Sequence, residues 1–233
     1  MSPPFDDDFD LRTFSGVTRL FPLPGVVLFP QNVLPMHIFE PRYRQMIEDA
    51  LAGDRLITIV QVPTPTQWLP SGEPVIETIG CLGRIIKHER LSDGRFNFLL
   101  VGRRRIKLTR EIDGSSLYRS AEGQILEDLA TESPDDPRRR ELSHLFRMIL
   151  QREDAVDSEL ASLLESNRLN LGQLTDIIAH AIGFPPSLKQ SLLAEIKPEK
   201  RADGLLKVLK QVVGANPPES GSGRSFPPDF SVN

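Results

Sequence analysis

An α+β fold, strands first and helices after, follows from three features of the 233-residue sequence. Short apolar runs between Arg19 and Ile125 are cut by turn residues, as in a small barrel or sandwich. An acidic, proline-punctuated stretch at 126–137 then intervenes, and beyond it the apolar period changes from two to 3.6. The composition, 39% apolar and 26% charged, is that of a globular chain able to bury a core without staples, in one large or two small domains.

Residues 1–16 carry Asp6, Asp7, Asp8 and Asp10 and bury too little to order, so they read as a disordered acidic arm. Val26–Phe29, bounded by Pro24-Gly25 and Pro30, predicts a short buried strand or strand edge. Glu40-Pro41 opens a helix, with proline in the first turn where its missing N–H is harmless. Tyr43, Met46, Ile47, Ala50 and Leu51 form its inner face, Gly53 ends it, and Arg42, Arg44 and Glu48 point elsewhere. The β-branched run Leu56–Val62 predicts a strand. Gly83–Glu89 and Arg95–Val101 flank Leu91-Ser92-Asp93-Gly94, whose Asp-Gly step tolerates positive φ and predicts a hairpin. Arg105–Thr109 and Tyr118–Ile125 complete a β-rich domain at 17–125.

The segment 126–137 reads as a linker to a bundle of about five short helices at 138–214. Asp136 can cap the first, with Pro137 in its opening turn and Leu142, Leu145, Phe146, Ile149 and Leu150 as its buried stripe. Leu160, Leu163 and Leu164 mark a short second helix. Asn170 and Gln173 resemble a capping pair ahead of Leu174, Ile177, Ile178 and Ala181, with Gly183 as the stop. Pro185-Pro186-Ser187 precedes a stripe of Leu188, Leu192, Leu193 and Ile196. Pro198 opens the last helix, with Leu205, Leu206, Leu209, Val212 and Val213 inward and Gly214 at its end. Residues 215–233 read as a disordered Pro/Gly/Ser tail, whose Phe226 and Phe230 are its candidate docking points.

Much chemistry is excluded. The single cysteine, Cys81, rules out a disulfide framework or a cysteine-built zinc site. The phosphate-loop, dinucleotide, nucleophile-elbow and H-E-x-x-H patterns are absent. His37, His88, His144 and His180 are far apart in sequence, and no metal or cofactor is expected. A serine–lysine dyad needs one residue of each kind, and Ser115 with Lys107 is the nearest candidate, though it lacks a glycine-flanked serine or an anion-stabilising nest. The acidic N-terminus is no secretory signal, and no apolar run reaches the ~18 residues of a membrane span, so the expected location is the cytoplasm.

The net charge of −4 gives no global reason to seek nucleic acid. Between Arg84 and Arg110, however, nine basic residues stand against Glu89 and Asp93, a local +7. Converged on one face they would bind phosphates in a salt-sensitive manner, but strands alternate faces, and solvated outer positions are the simpler account. Trp68, the lone tryptophan, lies in Pro63-Thr64-Pro65-Thr66-Gln67-Trp68-Leu69-Pro70, either as an interface anchor or as a plug for one end of the β domain.

Leu20-Phe21-Pro22-Leu23-Pro24-Gly25-Val26-Val27-Leu28-Phe29-Pro30, followed by Leu34-Pro35-Met36-His37-Ile38-Phe39-Glu40-Pro41-Arg42-Tyr43-Arg44, closely resembles the opening of the Lon protease N-terminal domain. Ile79–Ile85, Asp93–Phe96 and Leu100–Ile106 resemble its later strands and turn. The resemblance covers about residues 17–213. It implies a PUA-like β pseudo-barrel followed by an α-helical bundle, and a role in recognising unfolded or tagged polypeptides for separate ATPase and serine–lysine peptidase modules. This sequence ends at Asn233 without those modules and is read as the stand-alone, non-catalytic type. The expected partners are unfolded or tagged polypeptides or a protein partner. Arg42, Arg44, Glu48 and Trp68 are the candidate binding residues. The alternatives are an RNA- or DNA-binding module, motivated by the basic stretch and the PUA-like fold, and a hydrolase built on Lys107 and Ser115.

Overall fold

The structure is a computed structural model and describes residues 14–129, 136–152 and 169–214. Six strands, β1 (Val17–Pro24), β2 (Val33–Ile38), β3 (Leu56–Val62), β4 (Ile79–Arg90), β5 (Phe96–Ile112) and β6 (Ser120–Leu126), surround one helix, α1 (Pro41–Ala52), in sequence. Four further described helices follow: α2 (Pro137–Arg152), α3 (Leu171–Ala181), α4 (Pro186–Ala194) and α5 (Pro198–Gly214). The acidic arm to residue 13, the linker centre at 130–135, the helix expected around Leu160–Leu164 and the tail at 215–233 lie outside the described residues. The chain is α+β and divides into two compact units, one of β1–β6, α1 and α4, the other of α2, α3 and α5.

The sheet is mixed. Its order is β2-β5-β4-β3-β1-β6, and β6 also pairs with β5, so the pairings run in a circuit through β1, β3, β4, β5 and β6. All are antiparallel except β1 with β3. The strand β3 is buried at every position, as its unbroken β-branched run predicts for a strand covered on both faces. Leu20, Leu56, Val60, Leu82, Ile106 and Ala121, drawn from all five strands of the circuit, form its interior clusters. The long β5 has β2 along Phe96–Val101 and β6 along Arg105–Ile112 on one edge, with β4 on the other. Register shifts at Leu82/Gly83, Ile85/Lys87 and Leu108/Arg110 bend the ladder, as bulges do.

Three expectations change here. The runs 95–101 and 105–109, read as two strands, are one continuous β5. Gly102 between them is a crossing point: a Cβ there would overlap the Phe29 carbonyl, Gln31 N–H donates to Gly102 O at 2.7 Å, and Gly102 N–H donates to Asn32 O at 2.9 Å. The same crossing explains why Val27, Leu28 and Phe29 are buried without forming a strand. The helix α4, expected among the other late helices, groups with the sheet: Gln190 Nε2 donates to Ile79 O at 2.8 Å, and the buried Arg105 donates through Nε to Leu193 O at 2.9 Å. Apolar spacing identifies such a helix but not the surface that covers its stripe.

The helix α1 matches its expected ends and buries Tyr43, Met46, Ile47 and Ala50, while Leu51 is only half-buried. The hairpin turn is as predicted: Gly94 has φ +82°, its N–H reaches Leu91 O at 3.0 Å, and Asp93 Oδ1 accepts from Arg95 N–H at 3.1 Å.

In the second unit α2 and α3 both pack on α5. Asp136 caps α2, accepting from Arg138 N–H at 2.9 Å, and Asn170 and Gln173 form the expected reciprocal cap of α3. The buried Arg201 binds Asp128 through Nη1 at 2.9 Å and Nη2 at 2.5 Å. It also donates to Thr175 Oγ1 at 3.0 Å and Glu195 O at 2.8 Å, and lies 3.6 Å from Asp176. On α5, Val212 is exposed and not inward as its spacing predicts.

Candidate functional site

The pairing of β1 with β6 ends at Arg19 and Ser120, with one further bond from Leu20 N–H to Arg119 O at 2.8 Å. Beyond that point β1 has β3 on one side and, among the described residues, no strand on the other. Because backbone groups alternate along a strand, Pro22 and Pro24 face the same way as Leu20, toward this open edge, and neither has an N–H. Prolines are the residues a sheet tolerates at such an edge, and they leave it without N–H donors, with Pro22 buried and Pro24 exposed.

A groove of about 460 Å³ runs along this edge, lined by Phe21–Pro24, Glu40, Arg42, Tyr43, Val62 and residues of the 66–74 segment. Its floor is the Phe21–Tyr43 ring pair, with centroids 4.3 Å apart. Its wall is a small turn in which Leu69 N–H bonds Glu73 O, Val75 N–H bonds Gln67 O, and Trp68 bridges Pro74. Arg119 holds the turn in place by donating to Pro74 O at 2.8 Å, and is itself gripped by the Glu111 carboxylate. At 67% exposure the Trp68 indole fills no interior, which removes the plug reading and leaves a large aromatic face at the rim.

Charge in the groove is ordered around Arg42. Its guanidinium lies 4.6 Å from the Tyr43 ring centroid, 3.0 Å from Glu40 Oε2 and 3.7 Å from Glu73 Oε1. Burial pushes the Tyr43 phenol up from its ordinary pKa, against the pull of the adjacent Arg42. The site therefore offers aromatic surface, two carboxylates, one guanidinium and the exposed strand end at Pro24.

The four expected binding residues do not converge. Arg42 and Trp68 line the groove, whereas Arg44 and Glu48 line a smaller concavity of about 280 Å³ with Arg90 and Gly94. There Arg44 reaches Asp93 O at 3.5 Å and Glu48 pairs with Arg90 at 3.0 Å, tying α1 to the β4–β5 hairpin. Sequence reasoning passed over Tyr43, taken only as core, and Glu40 and Glu73. The Ser-Gly-Glu-Pro turn following Trp68 is the one local sign of the last.

Five of the nine basic residues in the Arg84–Arg110 stretch are buried or paired with carboxylates. Arg103 and Arg105 are buried, Arg95 pairs with Asp93, Arg110 with Glu122 and Arg90 with Glu48. Ser115 lies in the exposed β5–β6 connection and no hydrogen bond joins it to Lys107, which sits within β5 opposite Gln124. Among the described residues no group of three or more His, Cys, Asp or Glu could hold a metal ion, and no helix is long and apolar enough to cross a membrane.

The sequence pattern of the ATP-dependent protease La (LON) substrate-binding domain matches residues 17–211. The chain belongs to this family. Relatives include the Lon protease of Desulfosudis oleivorans, 24% identical over 193 residues, and that of Geobacter metallireducens, 27% identical over 187. These alignments take in 83% and 79% of this chain but only 23% and 22% of those proteases, so the chain spans about a quarter of their length. Two solved structures share the Lon N-terminal fold. A Lon N-terminal domain protein from Xanthomonas campestris superposes with a TM-score of 0.62 at 21% identity, covering 82% of this chain and 97% of that one. The N-terminal domain of the Mycobacterium avium complex Lon protease gives 0.63 at 19% identity, covering 84% and 96%. The module matched is the substrate-binding one, and the resemblance expected from the Leu20–Phe29 and Leu34–Arg44 motifs is met.

Proposed function

We propose that the chain is a non-catalytic binder of exposed polypeptide segments, acting in the cytoplasm in connection with ATP-dependent proteolysis. Arg42 and Trp68 contact the client directly, and Arg44 and Glu48 fix the orientation of α1 beneath them. The circuit of strands serves as a PUA-like pseudo-barrel that presents the groove, and an acidic linker leads from the β-rich stretch 17–125 to the helical stretch 138–214, of which α4 belongs with the sheet.

The observation that carries this reading is the groove beside the open edge of β1, with Trp68 at its rim. Unfolded segments differ from folded surfaces in offering unpaired backbone and apolar side chains together, and this groove has partners for both. Trp and Tyr faces supply large contact area at low ordering entropy, which suits a binder of varied sequences. Pairing of Arg90, Arg95 and Arg110 with carboxylates, and burial of Arg103 and Arg105, favour a protein ligand over nucleic acid. The test is a cellulose-bound array of peptides from unfolded proteins. Wild type is expected to retain a subset of spots that Trp68→Ala and Arg42→Ala lose, and equal retention by all three proteins would contradict the reading.

A further inference from the structure

Resting on the polypeptide-binding reading of the groove, we infer that it selects by charge: it takes extended segments in which lysine or arginine flanks a large apolar side chain, and rejects acidic ones. The groove is rich in acceptors and poor in donors. Glu40 and Glu73 place two carboxylates at its rim, with side chains 33% and 39% exposed, and only Arg42 stands between them. The other nearby cation, Arg119, is 13% exposed and already engaged by Glu111 and the Pro74 carbonyl. The strand edge adds the exposed Pro24, and the prolines have removed the donors that an ordinary edge would present. A ligand satisfying this set supplies N–H groups from its backbone and a cation from its side chains. A segment bearing Asp or Glu meets two carboxylates and one guanidinium whose bonds are already made.

Fluorescence anisotropy on the full chain tests this with three labelled nine-residue Gly/Ser peptides, each with a central phenylalanine flanked by two Lys, two Gln or two Glu. The Lys peptide is expected to bind roughly tenfold more tightly than the Glu peptide, with Gln between, and the spread is expected to narrow between about 50 and 300 mM salt. The double variant Glu40→Gln/Glu73→Gln brings the three peptides within about threefold of one another. Trp68→Ala weakens all three while keeping their order. Equal binding of the three peptides to the native protein, or an order that persists in the double variant, overturns charge selection while leaving polypeptide binding intact. Failure of every peptide to bind overturns both.

Discussion

Arg201 in the helical unit and Arg42 in the sheet unit are used in opposite ways. In the helical unit Arg201 is an interior fixture, surrounded by Asp128, Asp176, Thr175 and the Glu195 carbonyl, so its charge is consumed by the fold. In the sheet unit Arg42 sits at a rim, over Tyr43 and between two carboxylates that water still reaches. Surface ion pairs of the second kind contribute little to stability, and their groups can exchange partners at small cost. A buried charge cannot, because removing one partner strands the other. The difference separates residues that hold the molecule together from residues able to address a ligand, although composition counts them alike.

The comparison is broken most severely through backbone packing in the sheet unit. Gly102→Ala drives a Cβ into the Phe29 carbonyl, where neither strand nor crossing segment can yield. A loss above about 4 kcal/mol, or failure to fold, is expected in urea denaturation. Arg201→Ala strands Asp176 and Asp128 and is expected to cost about 3–5 kcal/mol, read by denaturation of the helical signal. A loss below about 1 kcal/mol would remove the contrast with Arg42.

Smaller effects sharpen the picture. The Arg138 side chain and N–H hold the Asp136 carboxyl below its usual pKa. A group depressed by folding stabilises the native state above its unfolded pKa of about 4 and loses that contribution as pH falls through the lower native value. Asp136→Ala should therefore cost about 1 kcal/mol at neutral pH and flatten part of the stability loss seen on acidification below about pH 4. An unchanged acid profile would show that this cap is inert.

Features set by neighbours in sequence were legible. The Asp93-Gly94 turn, the Glu40-Pro41 helix start and the Asn170/Gln173 cap depend on residues within four positions, and each is where its pattern predicts. Features set by distant partners were not. Neither β1 nor β2 is legible as a strand in the sequence, because Pro22, Pro24 and Pro35 interrupt the pattern and their pairing comes from β3 and β5. The groove shows the same division. Trp68 and Arg42 were visible by residue type, whereas Glu73 acquires its role only when the turn carries it back to α1.

The central claim, that the rim of the sheet unit binds and does not stabilise, is tested most directly by Trp68→Ala with affinity and stability measured on the same preparation. The account predicts at least a tenfold loss of affinity for the lysine–phenylalanine peptide, with unfolding free energy within about 0.5 kcal/mol of wild type. Unchanged affinity, or a weakening that merely follows lost stability, would contradict it.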